Sequence, residues 1–527
     1  MHLSKYHDSA KNNAILAGIL EDSGSLGSIT DETRELFRSI QGEGPKPGGT
    51  YRKDWRDRLW AMLAQDNSIE DPNGYAELVE GDEAMPEWKQ ELDEEYKSLQ
   101  EALTRVVNVE DFGALGDGVT DCTAAFKKAF GSGRTDVYVP KGIYVVRKIE
   151  MPSFSRLRGE GKGASILKLH DKAPKRQRLV MNANPFRGNH HISVENIGLD
   201  WNVERLGDVE NTSAGNNFSS CLTFGKVTYG WAKGVAAANP GLHCFDVSST
   251  FYNYGGDGKR ARGGSQFIWI DRCTGYGFGD DGVTTHHSDY IFISNSHFCD
   301  PSGRSHKKGF SNSNGIEIDD GSRFVWLLNN STSNCFGGVE VKAHATSSAA
   351  TGVFISGHLS VRDNRSFNFR HIGHHTADDP DSMTAYNILA QRLVSVAPVF
   401  TEMYAGSAPR ALVVSGYRNV AINHFLFIGD PDTDYSNNPA AAIQYKAGHV
   451  ALSNGTITGF RKAKADVFVA GGSQCATDVS VRNSAACILQ SGPCRSAKAA
   501  EILLKKKSIG NSAHSRKPIF LIKRRKN

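Results

Sequence analysis

The residues best equipped for chemistry in this chain sit in short apolar triplets separated by glycine and asparagine turns. Val283-Thr-Thr285, Ile316-Glu-Ile318, Val339-Glu-Val341, Phe367-Asn-Phe369, Leu412-Val-Val414 and Ile443-Gln-Tyr445 align on their first and last members. Side chains alternate across a strand, so the residues between those members face outward. One outward column then reads Thr284, Glu317, Glu340, Asn368, Val413 and Gln444, and the next reads His286, Asp319, Lys342, Arg370, Ser415 and Lys446. With strands stacked about 4.8 Å apart, Glu317 stands directly over Glu340. Two carboxylates that close repel, which raises the pKa of one and favours a shared proton or a cation. Carboxyl pairs about 5–5.5 Å apart suit retaining glycoside cleavage, and wider pairs suit inversion. The competing outcome is an acidic ladder neutralised by its own cations, Lys342 and Arg370.

Two further clusters lie near these columns. Asp280 and Asp281, in Gly277-Phe-Gly-Asp-Asp-Gly-Val-Thr-Thr-His-His287, stand just before a strand. They are candidates for acid, base or nucleophile, or else residues of a hydrogen-bonded turn. The 18 histidines are numerous for such a chain and include His286, His287, His344 and the run Arg370-His-Ile-Gly-His-His375. A metal site needs three ligands converging on one point, and His371, His374 and His375 need not share a face. Hydrogen bonding to a sugar or phosphate is the stronger expectation. Arg370 and Lys342 beside histidines also suit an anionic polymer, because guanidinium groups engage phosphate bidentately.

The elements that must position these residues are short strands. Ile192-Ser-Val194, Phe267-Ile-Trp-Ile270, Ile291-Phe-Ile293, Val325-Trp-Leu-Leu328, Val353-Phe-Ile355, Val420-Ala-Ile422 and Val450-Ala-Leu452 recur loosely, many followed by Asn or a small polar residue. Loose periodicity with unequal insertions is the mark of a solenoid. The interruptions at 202–220, 250–266, 299–313 and 376–383 read as loops projecting from its side. Val107 to Asp121 reads as a strand, a Gly116-Asp-Gly118 turn and the start of a helix carrying Ala125, Phe126, Ala129 and Phe130, with Thr120 or Asp121 at its N-terminus. Residues 1–106 form a helical module, 107–484 the solenoid, and 485–527 a basic tail with no strand rhythm. Within the module, Leu92, Tyr96, Leu99, Leu103 and Val106 step by 4, 3, 4, 3. That spacing fits an amphipathic helix packed on its own domain, or a brief coiled coil aligning several chains.

The Val107–Val146 segment resembles the entry of the pectate-lyase-like right-handed parallel β-helix proteins, in which a helix plugs the open end of the coil. The fold expected is therefore mainly β, a right-handed parallel β-helix with a small helical N-terminal module. Gly279-Asp-Asp-Gly282 is similar to the Gly-Asp-Asp element of polygalacturonase-type glycoside hydrolases, and Asp246 in His243-Cys-Phe-Asp246 stands where that family has a preceding aspartate. The family's next elements, His-Gly and Arg-Ile-Lys, are here Asn314-Gly315 and Glu340-Val-Lys342, so galacturonan hydrolysis is not implied. The helical module, the heptad spacing and the β-helix together resemble bacteriophage tailspikes, in particular the pre-neck appendage proteins of small tailed phages of Gram-positive cells. That resemblance implies a homotrimer on the virion tail, attached to tail or connector proteins through its N-terminus, whose β-helix binds and cuts a host cell-wall polymer such as teichoic acid or a polysaccharide. Under it, Glu317, Glu340, Asp280 and Asp281 are the catalytic candidates. His286, Asp319, Lys342, Arg370, His371 and Asp246 are the substrate-binding ones. Two alternatives stand beside hydrolysis. One is a spike that only binds. The other is a calcium-assisted lyase or epimerase in which Lys342 or Arg370 removes a proton while Ca²⁺ bridges an aspartate and the substrate. The main reading needs no cofactor.

Composition narrows the classes further. No apolar run approaches the roughly 20 residues of a membrane span, and the N-terminus lacks the apolar stretch of a signal peptide. These features fit assembly in a host cytoplasm. The 9 cysteines are scattered with no CxxC pair, which argues against zinc and against a disulfide framework. Setting aside the 11 Lys and Arg and the single acid Glu501 from Arg495 onward turns the net charge of +4 into −6. A nucleic-acid role would rest on the tail alone.

Overall fold

The computed structural model describes residues 1–21, 25–42 and 87–486 apart from 216, 253–255 and 377, together with 55, 59, 65–68, 81–82, 85–86 and 489–491. Most of the basic tail lies outside these residues, but Leu489–Ser491 within it pairs with Val467–Val469 as a strand, so the solenoid runs past the expected boundary at 484. The apolar spacing of Asp54–Leu63 also lies outside them, apart from Trp55 and Leu59. The chain is a right-handed parallel β-helix. Its strands form a 20-stranded sheet and a 12-stranded sheet, the latter running from Ile149–Met151 to Leu489–Ser491.

The sequence forms coils because one apolar file repeats in register. Ile268, Ile291, Val325, Val353, Ile388, Val420 and Val450 pair successively across parallel strands, and all are fully buried. Branched side chains stack well at this spacing and give the interior a continuous apolar column. From Arg323 onward the two strands of the larger sheet fuse into single strands of 11 residues.

Corners between strands require left-handed backbone, and the asparagines mark one of them. Asn196, Asn295, Asn329 and Asn454 all have positive φ near 50°, a conformation asparagine tolerates better than most residues. A second corner is occupied instead by Phe154, His191, Tyr229, Phe267, Tyr290 and Phe324, with φ between 53° and 62°. Their rings form a ladder, with centroids 4.7 Å apart for Phe267–Tyr290 and 5.2 Å for Tyr290–Phe324. Stacking of about 0.5–1.5 kcal/mol per pair offsets a left-handed cost of about 1–2 kcal/mol per residue.

The open end is plugged as the sequence suggests. Helix Thr123–Phe130 buries Ala125, Phe126, Ala129 and Phe130, and Asp121 accepts hydrogen bonds from the Thr123 amide at 3.1 Å and hydroxyl at 2.5 Å. The earlier helices lie along the flank of the larger sheet. Helix Leu26–Ile40 buries Phe37 beside Leu389, Ala421 and Ala451, and Gln391 and Asn423 donate to Thr30 and Thr33 on it. Helix Lys89–Ala102 fully buries Leu92 and Leu99 in the cluster holding Trp231 and Phe292. Its 4–3 spacing therefore serves packing within one chain, and the interchain seam is not what those leucines form. Cys122, Cys221, Cys244, Cys273, Cys299 and Cys335 are buried free thiols, whereas Cys475 is disulfide-bonded.

The outward columns fall on the 12-stranded sheet with the register expected over most of their length: Thr284 pairs Glu317, Glu317 pairs Glu340, Glu340 pairs Asn368, and Lys342 pairs Arg370. Asp246 heads the first column opposite Thr284. The last coil departs by two residues. Val413 pairs Ala442 and Ser415 pairs Gln444, because Ala441–Gln444 takes the ladder while Tyr445 and Lys446 turn away at φ 45° and 59°.

Candidate functional site

A cleft of about 740 Å³ opens over this sheet. Its floor is the outward face of the strands from Leu222–Gly225 to Arg365–His371, and its walls come from three of the inserted loops, through Asn217 and Phe218, Tyr252, and His306 and Phe310. Asp280, His286, Glu317, Asp319, Lys342 and Arg370 line it. A cleft of this size suits a segment of an extended ligand.

Asp280 is gripped by two imidazoles. His306 Nε2 lies 2.9 Å from its Oδ1 and His243 Nε2 3.6 Å from its Oδ2. Burial opposes ionisation of Asp280, but the two histidines outweigh it and hold the carboxyl well below its usual range. The bond to Asp280 raises His306 above its ordinary value. His243 is held on its other side by Asp246, Nδ1 to Oδ2 2.8 Å. Burial alone would lower the His243 pKa; the bonds to Asp246 and Asp280 carry it up to about 9. Asp281 goes the opposite way. Burial, with Asp280 and Glu317 as like-charged neighbours, pushes it well above the carboxylate range.

Glu317 sits under Lys342, whose Nζ is 2.6 Å from Oε1. Asn314 Nδ2 donates to the same oxygen at 2.9 Å and Thr284 donates to the other at 3.2 Å. Burial, together with Asp319, Asp280 and Glu340, still raises the Glu317 pKa against the pull of Lys342. Asp319 shares Lys342 at 3.7 Å and meets His286 at 3.6 Å. Burial would raise it, and Lys342 and His344 bring it down. Lys342 itself is lifted well above its ordinary value, its burial outweighed by Asp319 and Glu317.

Four sequence candidates take other positions than a direct one. Glu340 is completely buried and accepts from Arg370 Nε at 2.6 Å and Asn368 Nδ2 at 2.9 Å. It does not line the cleft, so it holds Arg370 in place. The like-charged pair with Glu317 is resolved by giving each glutamate its own cation. Asp281 is buried and accepts from the Asn314 amide at 2.9 Å. Asp246 is buried beneath His243. His371 is buried with Nε2 3.0 Å from the Ser347 carbonyl and Nδ1 accepting from the Gly373 amide, so it braces a turn away from the cleft. Conversely, the triplets did not single out His243, His306 or Tyr252. His243 lies on the turn before its strand and the others on or beside inserted segments. Only their nearness to the Asp-Asp element and the loop interruptions signals them.

Four groups among the described residues bring His and carboxylate ligand atoms within 4.8 Å of one another. Every group includes a histidine, whereas calcium takes 6–8 oxygen ligands. Lys342 already sits between Glu317 and Asp319 as a built-in cation. The donor set does not fit Ca²⁺.

Residues 106–340 match the family model described as rhamnogalacturonase A/epimerase, pectate lyase-like. The chain is 49% identical over 395 residues to the phage-related protein YobO of Bacillus subtilis (strain 168), covering 75% of this chain and 49% of that protein. It is 39% identical over 418 residues to the pre-neck appendage protein of Bacillus phage phi29, covering 78% of this chain and 48% of that one. Among solved structures, the N-terminal fragment of phi29 gene product 12 superposes with a TM-score of 0.66 at 38% identity, over 72% of this chain and 63% of the fragment. The chain spans about half the length of the curated relatives it matches.

Proposed function

Because this chain is homologous to phage pre-neck appendage proteins and shares their pectate-lyase-like β-helix, we propose that it is a virion appendage that binds and hydrolyses an anionic polymer of the host cell surface, wall teichoic acid or a polysaccharide. One observation carries the catalytic part. Asp280 and Glu317 line the same cleft with pKa values driven in opposite directions. Paired groups separated in this way are how one site supplies both acid and base. Asp280 is the carboxylate that stays ionised, as base toward water or as nucleophile. Glu317 is the carboxyl that keeps its proton to higher pH and delivers it to the leaving oxygen. Lys342, Arg370 and His286 receive the anionic groups of the chain being cut. The same reading has the protein on the phage tail as a homotrimer, joined to tail or connector proteins through its N-terminal segment.

The lyase alternative is disfavoured by Lys342 and Arg370, both held above their ordinary pKa values by buried carboxylates. Neither can give up its proton to serve as a base near neutrality. The test is release of soluble phosphate-containing and reducing-sugar fragments from Gram-positive cell walls by wild type, Asp280→Asn and Glu317→Gln. Loss of at least about a hundredfold in each variant is expected. Release that persists in both overturns the assignment, and wall binding without any release marks an adhesive spike.

A further inference from the structure

Several arginines packed into the fold are neutralised by carboxylates. Arg260 meets Asp289 at 2.6 Å, Arg156 meets Asp136 at 2.5 Å, and Arg370 meets Glu340 at 2.6 Å. Arg365 and Arg410 break that pattern. They begin adjacent strands of the site-bearing sheet and stand directly opposite one another in the ladder. Among the described residues neither has a carboxylate within ion-pair distance, and the Nε of each is buried with no hydrogen-bond partner. Like charges at neighbouring ladder positions destabilise a sheet, and a partly desolvated cation without a bonded carboxylate adds to that cost.

What surrounds the pair is equally specific. Arg365 lies over the Phe336 ring, 5.4 Å from its centroid, and Phe336 packs on Tyr404 with centroids 4.9 Å apart. Tyr404 and Arg370 line the cleft, so the pair adjoins that end of the cleft. Strand Arg365–His371 is two steps beyond the Glu317 strand and Arg410–Ser415 is three, which at about 4.8 Å per step places the seat roughly 10–15 Å along the helix axis. Arg410 is steadied by a hydrogen bond to Asn438. Burial, with Arg370 and Arg410 as like-charged neighbours, lowers the Arg365 pKa to about 10 against the weaker pull of Glu340.

We propose that Arg365 and Arg410, walled by Phe336 and Tyr404, form an anion seat that takes a phosphodiester or carboxylate group of the bound polymer, two to three coils beyond the acid cluster. The inference rests on the polymer-binding half of the function proposed above and is independent of cleavage. Two guanidinium forks on adjacent strands, with no carboxylate within ion-pair distance among the described residues, match the oxygens of such a group. Tyr404, which lines the cleft with buried Phe336 behind it, can offer its ring to the apolar face of the unit that carries it.

The test is equilibrium binding of a glycerol phosphate oligomer, a galacturonate oligomer and neutral dextran to an Asp280→Asn protein, with and without Arg365→Gln and Arg410→Gln together. The pair should carry at least a tenfold share of the affinity for one of the two anionic oligomers and none for dextran. Whichever oligomer loses affinity identifies the phosphodiester or the carboxylate as its ligand. The melting temperature separates this role from a structural one. Relieving an uncompensated buried pair should raise it or leave it unchanged, whereas a structural pair would lower it. Unchanged binding of both anionic oligomers, no binding of either to the parent, or a lowered melting temperature overturns the seat. Fragment release by the Asp280-intact protein is scored separately, so a failed seat and a failed hydrolase are distinguishable.

Discussion

Lys342 sets its ammonium 2.6 Å from the Glu317 carboxylate, in a position where both groups are buried. The pairing explains how a column with glutamates on adjacent coils folds at all. It also gives the first prediction. Lys342→Met removes the cation shared by buried Glu317 and Asp319 and should cost about 3–5 kcal/mol by urea unfolding. Glu317→Gln added to Lys342→Met should recover part of that loss, because the two residues act as one unit. Strictly additive costs would show that the contact carries no coupling.

His306 supplies the second prediction. It reaches Asp280 from an inserted loop and is partly open to solvent. His306→Ala should cost about 1.5–3 kcal/mol, the worth of a hydrogen bond to a charged group, and leave Asp280 with His243 as its remaining partner. Fragment release should also fall about 10- to 100-fold, because Asp280 loses a partner that orients it. Full activity in this variant would remove His306 from the site.

Much of this arrangement was legible in the sequence, for a reason that also explains the misses. Alternation across a strand is strict, so the triplets around Glu317, Glu340 and Lys342 predicted both columns and their register. Burial is not encoded by alternation. An outward residue in a solenoid can still be covered by its neighbours, as Glu340 is by Arg370 and Asn368. The last coil slipped because Ile443-Gln-Tyr445 imitates a triplet, while the chain pairs the smaller Ala441 and Ala442 instead. His306 came from an insertion, where spacing carries no information about which coil the loop folds over. Arg365 and Arg410 precede their triplets and were hidden for the same kind of reason, since the ladder at a corner departs from simple alternation.

The third prediction concerns the flank. Leu99 is fully buried with Leu92 against the larger sheet, so Leu99→Ala should destabilise the fold by about 2–5 kcal/mol. The loss should be the same at protein concentrations a hundredfold apart. A cost that grows on dilution would mean that the leucine packs between chains.

The last prediction follows from His243, whose pKa rises from an ordinary 6.5 to about 9 through Asp246 and Asp280 after burial is overcome. Below pH 6.5 the imidazole is protonated in folded and unfolded chains alike, so its full stabilising contribution is present. Between pH 6.5 and 9 the unfolded chain releases the proton while the folded one keeps it, and stability falls as pH rises. The contribution lost across that window is on the order of 3 kcal/mol. Urea midpoints for wild type and Asp246→Asn, measured from pH 6 to 9.5, isolate it from other groups that titrate there. The two proteins should differ most at the acidic end and converge as the pH approaches 9. Parallel curves would show that Asp246 does not hold the proton on His243, and would leave Asp280 with one charged partner rather than two.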